Sequence, residues 1–197
     1  MMFSSTNMFA VVFVTVLVLL PVGLSASLTC EDLLRPLDQP DLHHMVGRWD
    51  LVAGSFSDPA HLEFFKFRNS SNIYISNATS SSDITYTTVV HMGGKCHYGT
   101  YNVTLKGSTI VFDVRHQIKT TLTLICTSCA DCVVMRFDNG SKKAERLWLF
   151  SKRREVDPKE LEEFRSQVEC LNMLPPVVMD PNNEICKELG TEKHQEA

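Results

Sequence analysis

Three cysteines stand at C-x2-C-x2-C spacing in Cys126-Thr-Ser-Cys129-Ala-Asp-Cys132. Thiolates held this close are the usual start of a zinc site, which needs four ligands in a tetrahedron. No matched fourth ligand stands nearby. The chain has seven cysteines, the others being Cys30, Cys96, Cys170 and Cys186, so at least one thiol is unpaired within it. An oxidising compartment favours a hairpin disulfide plus one free thiol over zinc. No metal is expected.

The other reactive types do not assemble. His43, His44, His61, His91, His97, His116 and His194 are scattered, and neither H-E-x-x-H nor G-x-S-x-G occurs. Solvated or locally bonded histidines are the reading that remains, so no catalytic residue, no cofactor and no enzyme activity are expected. Four Asn-x-Ser/Thr triplets, at Asn69, Asn77, Asn102 and Asn139, are candidate glycosylation sites. Each needs a surface position in a secreted protein.

Secretion is also written at the N-terminus. Residues 9–20, FAVVFVTVLVLL, are a twelve-residue apolar run succeeded by Pro21, Gly23 and the small residues SAS at 25–27. Apolar core, breaker and small-residue site read as a signal peptide over 1–27, cut after Ala26 or Ser27. The run is shorter than the roughly 20 residues a membrane-spanning helix needs. A retained segment would instead act as an anchor. The remaining chain reads as one domain over 28–190, with 191–197 as a flexible tail. A net charge of −4 leaves no nucleic-acid footprint. The densest basic cluster, SKRREVDPK at 151–159, is interrupted at once by acids.

The elements that must position any site are short strands. RWDLVAGSF (48–56), NIYIS (72–76), DITYTTVVHM (83–92), CHYGTYNVTL (96–105), TIVFDVR (109–115), TTLTLIC (120–126), CVVMRF (132–137) and ERLWLF (145–150) make eight runs of strand type, broken by turn signals. Asn139-Gly140 is a strong hairpin signal, since both residues accept positive φ. Short connections join antiparallel neighbours. The exception is 56–71, a long first connection carrying Leu62, Phe64, Phe65 and Phe67. After the strands the period changes: Asp157-Pro158 opens a helix whose Leu161, Phe164, Val168 and Leu171 form one apolar stripe. Eight antiparallel strands in order and one trailing helix predict an all-β, eight-stranded up-and-down barrel with the helix packed outside. Such a barrel is wide enough to hold one small ligand.

Gly47-Arg48-Trp49, ahead of those strands, resembles the G-x-W signature of the lipocalin family. The stretches CEDLLRPLDQPDLHHMVGRWDLVAGSF, GGKCHY, IKTTLTLICTSC and DPKELEEFRSQVECLNMLPPVVMDPNNEICKEL narrow the resemblance. They are similar to the branch containing apolipoprotein M, α1-acid glycoprotein and fish plasma proteins that bind tributyltin or saxitoxin and tetrodotoxin. The resemblance implies that Trp49 closes the narrow end under Lys152 or Arg153. It also implies disulfides Cys30–Cys170 and Cys96–Cys186, each closing a long loop and stabilising by about 2–4 kcal/mol. The chain departs from the pattern at Cys126, Cys129 and Cys132, whose pairing the sequence leaves open; one arrangement sets Cys126 facing Cys132 across a hairpin and leaves Cys129 free. The family's prostaglandin D synthase has a Cys on an early strand, and none lies between Cys30 and Cys96 here.

The lining is read from strand alternation. If Trp49 points inward, so do Leu51, Ala53 and Ser55. Tyr86, Phe112, Met135, Phe137 and Phe150 are the candidates for facing a ligand. By resemblance, Tyr101 and Arg115 are lipid contacts, Arg115 through an anionic head group; strict alternation puts Arg115 on the face opposite Phe112, so a bulge must turn it in. The reading is a secreted, monomeric plasma carrier of a small hydrophobic or amphipathic molecule, with attachment to lipoprotein particles as the alternative. A receptor-mediated, immune-modulating role is the third.

Overall fold

The structure, a computed structural model, describes residues 28–77, 83–112 and 121–188. The expected leader, the terminal tail and Arg115 lie outside the described residues.

Two single-turn helices precede the barrel, α1 (Cys30–Leu33) and α2 (Leu42–Met45). The strands come next: β1 (Gly47–Phe56), β2 (Arg68–Asn77), β3 (Asp83–Met92), β4 (Lys95–Lys106), β5 (Thr109–Phe112), β6 (Thr121–Ile125), β7 (Cys132–Asp138) and β8 (Ala144–Ser151). Each pairs antiparallel with the next, and β1 pairs with both β8 and β2, so the sheet closes into an eight-stranded barrel. Closure removes the free edges that an open sheet would expose.

The long first connection folds its apolar residues into α3 (Pro59–Phe65), with Asp58 accepting from the Ala60 N–H at 2.8 Å as its N-cap. After β8 comes α4 (Pro158–Cys170), started by Pro158 and by Glu160 accepting from the Asp157 N–H at 2.8 Å. A short β9 (Val177–Val178) then pairs with Ala53 and Gly54, on the stretch of β1 that lies beyond its pairing with β2. The sequence reading did not contain α1, α2, α3 or β9. Elements of two to seven residues carry too little periodicity to be read.

Two apolar clusters result. One fills the barrel and includes Trp49, Leu51, Ile73, Ile75, Tyr86, Met135, Phe137, Trp148 and Phe150. The other lies outside, where Phe164 and Val168 of α4 cover Val52, Ala53, Val134, Leu147 and Leu149. Residues four apart share a helix face, which is why that stripe meets the sheet.

β1 departs from strict alternation. Its register with β8 shifts between Leu51 and Ala53, a bulge that places two consecutive residues on one face. Ala53 therefore joins the outer cluster, and Ser55 donates to the Leu174 carbonyl at 2.5 Å in the segment after α4. The expectation that Ala53 and Ser55 point inward is corrected: beyond the bulge the inward positions are Gly54 and Phe56.

Cys30–Cys170 bonds α1 to the end of α4, and Cys96–Cys186 bonds β4 to the terminal segment, as the resemblance implied. The third pair differs. Cys129 bonds Cys132 and leaves Cys126 free, its thiol 3.5 Å from the Pro36 carbonyl. Cys126 comes directly after β6 and its N–H donates to the Arg35 carbonyl, which turns the chain toward the N-terminal arm and away from a cross-hairpin partner.

Candidate ligand site

One end of the barrel is shut by Trp49. Gly47 takes φ 112°, a left-handed conformation that favours glycine, and turns the chain from α2 into β1. The indole then lies fully buried, and its N–H donates to the Met45 carbonyl at 2.7 Å. Lys152 Nζ sits 5.0 Å from the ring centroid and donates to the His44 carbonyl at 2.7 Å. His44 also meets the indole edge-on at 6.1 Å. Of the two basic residues the sequence offered, Lys152 is the cover. Arg153 turns away to Asp131 and to Glu160, whose carboxylate holds the guanidinium pKa above its ordinary value.

The other end is built around Trp148 on β8. Its ring lies 4.8 Å from Phe137, 6.0 Å from Phe150, 6.4 Å from Phe56 and 6.5 Å from Phe65. Phe65 reaches this cluster from α3 because Gly54 has no side chain: a Cβ there would stand 2.6 Å from Phe65 Cζ. Two guanidinium groups lie on the same aromatics. The Arg68 carbon is 5.3 Å from the Phe65 centroid and 5.5 Å from Trp148. That of Arg146 is 4.6 Å from Phe137 and 5.3 Å from Trp148.

Both arginines are held below their ordinary pKa, chiefly because burial disfavours the charge; for Arg68 the neighbouring Arg146 adds to it. Neither forms an ion pair with a described carboxylate within 4 Å. Arg68 Nε and Trp148 Nε1 are buried donors without a hydrogen-bond partner among the described residues. On the wall from β3 to β5, Tyr86 packs edge-on against Phe112 at 5.5 Å, and Tyr101 does the same at 5.8 Å. Burial pushes the Tyr86 phenol well above its usual range. Tyr86 is buried, whereas Tyr101 is 43% exposed.

An eight-stranded barrel plugged by Trp49 and tied by two long-range disulfides has counterparts among known proteins. The model of the ApoM domain matches residues 30–189. The chain belongs to the ApoM domain family. Among solved structures, the siderocalin Ex-FABP, described as working through dual ligand specificities, aligns with a TM-score of 0.58 and 16% identity. The alignment covers 69% of this chain and 93% of that one, a likeness of fold. No curated protein in the comparison matches. Membership of the ApoM domain family supports a carrier of small hydrophobic ligands.

Within this ApoM domain the expected lining residues fall at different depths. Leu51 and Phe150 pair across β1 and β8 close to Trp49 and are buried. Met135 and Phe137 lie higher on β7, level with Trp148 and Arg146. Tyr86, Tyr101 and Phe112 form one aromatic group. Of the sequons, Asn69 and Asn102 are exposed, while the Asn139 side-chain carbonyl accepts from Ser141 and Lys143 within its turn. The side chain of Asn77 lies outside what is described.

The sequence reading missed Arg68, Arg146, Trp148, Phe65 and Phe56 as parts of the site. Arg146 was within reach, since alternation puts it on the face of Trp148 and Phe150. Arg68 was not. The β2–β3 register shifts between Arg68 and Ser70, and a bulge reverses the side a parity count would give.

Proposed function

We propose that the chain is a secreted glycoprotein that reversibly carries one small amphipathic molecule, its acidic head against Arg68 and Arg146 and its apolar body within the barrel. The observation that carries this reading is the pair of arginines lying on aromatic rings, with the buried donors Arg68 Nε and Trp148 Nε1 left without partners among the described residues. An unmet buried donor costs about 1–3 kcal/mol, so a fold keeps one where a ligand meets it. A carboxylate or phosphate offers the acceptors that Arg68 Nε and Trp148 Nε1 lack, and Arg suits such groups because its fork matches them. Tyr86, Tyr101, Phe112, Met135 and Phe137 would line the body of the ligand, with Leu51 and Phe150 beneath it.

Magnitudes say why the head matters. Burying about 300 Å² of apolar ligand at roughly 25 cal/mol/Å² yields about 7 kcal/mol before costs. Association takes several kcal/mol of that. An apolar fit alone is weak, and a charge-assisted hydrogen bond adds about 1.5–3 kcal/mol, a factor of ten to a hundred in affinity. Secretion is supported by the N-terminal apolar run, the three disulfides and the exposed sequons. A lipoprotein-associated carrier is the second reading, favoured by the same run at 9–20 if it is retained; N-terminal sequencing of secreted protein decides between them.

Native mass spectrometry of the protein, deglycosylated but never delipidated, should show a discrete extra mass that organic extraction removes. Titration then compares a fluorescent long-chain fatty acid with the matching alcohol. The acid should bind more tightly, and Arg68→Met with Arg146→Met should weaken it by about tenfold to a hundredfold while leaving the alcohol nearly unchanged. Equal affinity for acid and alcohol in the unmodified protein would overturn the acidic-head reading.

A further inference from the structure

The connection between β1 and β2 presents two contrasting faces. Leu62 and Phe65 turn into the barrel, while Phe64 and Phe67, three residues apart on the other side, are 55% and 71% exposed. Phe64 lies in the last turn of α3 and Phe67 in the turn that leads into β2, where its N–H donates to the Phe64 carbonyl at 3.3 Å and keeps the two backbones close. Two large aromatics left in water three positions apart are more than the singly scattered apolar surface every protein has. Neither belongs to the cluster that fills the barrel, so the cargo site does not account for them.

Their surroundings are basic. The connections 57–67, 93–94 and 139–143 lie at one end of an up-and-down barrel, opposite Trp49. Exposed Lys66, Lys95, Lys142 and Lys143 rim that end, with Arg68 and Arg146 just inside. The described carboxylates there are Asp58, which caps α3, Glu63, which pairs with Lys66 at 2.6 Å, Glu145, and exposed Glu184, whose backbone carbonyl accepts from Ser70 and His91 at the flank of this end; Asp138 is already paired with Arg136. Among the described residues cations therefore predominate at this end of a chain whose net charge is −4. The Ser57 N–H donates to the Glu145 carbonyl at 3.0 Å, which stitches the base of this connection to β8.

We propose that this edge of the mouth docks on an anionic lipid surface, with Phe64 and Phe67 entering the interface and the lysines facing its head groups. Aromatic rings settle at the head-group level of a bilayer, and basic residues near an anionic leaflet add attraction that fades within a Debye length. A docked mouth opens directly onto the phase from which an amphiphile leaves or enters. The inference draws its purpose from the carrier reading, but the docking itself is independent of which cargo the barrel holds.

Two measurements on the full chain test it. Co-sedimentation with vesicles of phosphatidylcholine, with and without phosphatidylserine, should show binding that requires the anionic lipid and weakens with salt. Phe64→Ser with Phe67→Ser should lower the partition coefficient by at least about tenfold. Because residues 9–20 could hold the chain to vesicles by themselves, Phe64→Trp gives a local readout: its exposed indole should shift to the blue on phosphatidylserine vesicles, against buried Trp49 and Trp148. No shift, or no dependence on anionic lipid, overturns the proposal. So does unchanged partitioning in the double serine variant, or a patch that instead mediates contact with a second protein. Fatty-acid affinity measured without vesicles should be the same in all these variants, which separates failure of docking from failure of the carrier reading.

Discussion

The two ends of the barrel use one motif, a cation over an aromatic ring, and finish it differently. At the closed end Lys152 covers Trp49, and both the ammonium and the indole N–H have carbonyl partners. At the open end Arg68 and Arg146 cover Phe65, Phe137 and Trp148, and Arg68 Nε and Trp148 Nε1 have none among the described residues. A plug that satisfies its own polar groups contributes stability. A cluster that leaves them unmet gives up stability for something that arrives from outside. On the proposed reading this difference separates structure from site, and the chemistry of the rings alone would not have told them apart.

The comparison is broken most directly at Trp49. Trp49→Ala removes a fully buried indole that touches the N-terminal arm and the segment after β8, and should destabilise the protein by about 3–5 kcal/mol in urea unfolding. Trp148→Phe at the other end keeps an aromatic ring while removing the unpartnered N–H, so it should cost far less. If the two variants lost similar stability, the division into plug and site would not stand.

Gly54 is the next test, because it decides whether α3 can seat its aromatic at the mouth. Gly54→Val places atoms where Phe65 Cζ now lies, at a contact of 2.6 Å for the Cβ alone. Overpacking of this kind costs about 1–3 kcal/mol, and here Phe65 is the group able to yield. Phe65→Ala in the same chain should recover part of the loss, a coupling that a double-mutant cycle reads directly. Ligand release should also speed up in Gly54→Val, since Phe65 no longer covers Trp148 and Arg68. The closed end offers no parallel, because a Cβ at Gly47 would meet nothing within 4 Å and only its φ of 112° favours glycine there.

The legibility of the molecule in its sequence divides along the same line. The closed end was legible: Gly47 and Trp49 carry a spaced signature, and Cys30–Cys170 sits at matching positions of the family pattern. The eight strands and α4 were legible because each repeats a period long enough to be seen. The open end was not, for two physical reasons. Bulges at Leu51–Ala53 and at Arg68–Ser70 reverse the face that parity assigns, which directed Ala53 and Ser55 inward and left Arg68 out. The aromatic from α3 reaches the barrel through a contact with a glycine 11 positions earlier, which no local pattern encodes. The pairing of Cys129 with Cys132 was hidden likewise, because it depends on how the segment after β6 turns toward Arg35 and Pro36.

The finest test sets the two cations against each other. Lys152→Met keeps most of the side chain's bulk but removes a charge that sits on Trp49 and bonds the His44 carbonyl, so it should destabilise the protein by about 0.5–2 kcal/mol. Arg68→Met removes a charge that also lies on rings, yet it takes away a buried, unmatched donor at the same time. The loss of the cation–ring attraction and the relief of desolvation oppose each other, so the unliganded protein should be unchanged or slightly more stable. Differential scanning calorimetry on extracted protein measures both. Adding a long-chain fatty acid should then stabilise the unmodified protein and Lys152→Met alike, but Arg68→Met much less, because a ligand stabilises only in proportion to how well the folded state binds it. Equal protection of all three would mean that Arg68 is another structural cap, and the acidic head would have to be sought elsewhere in the barrel.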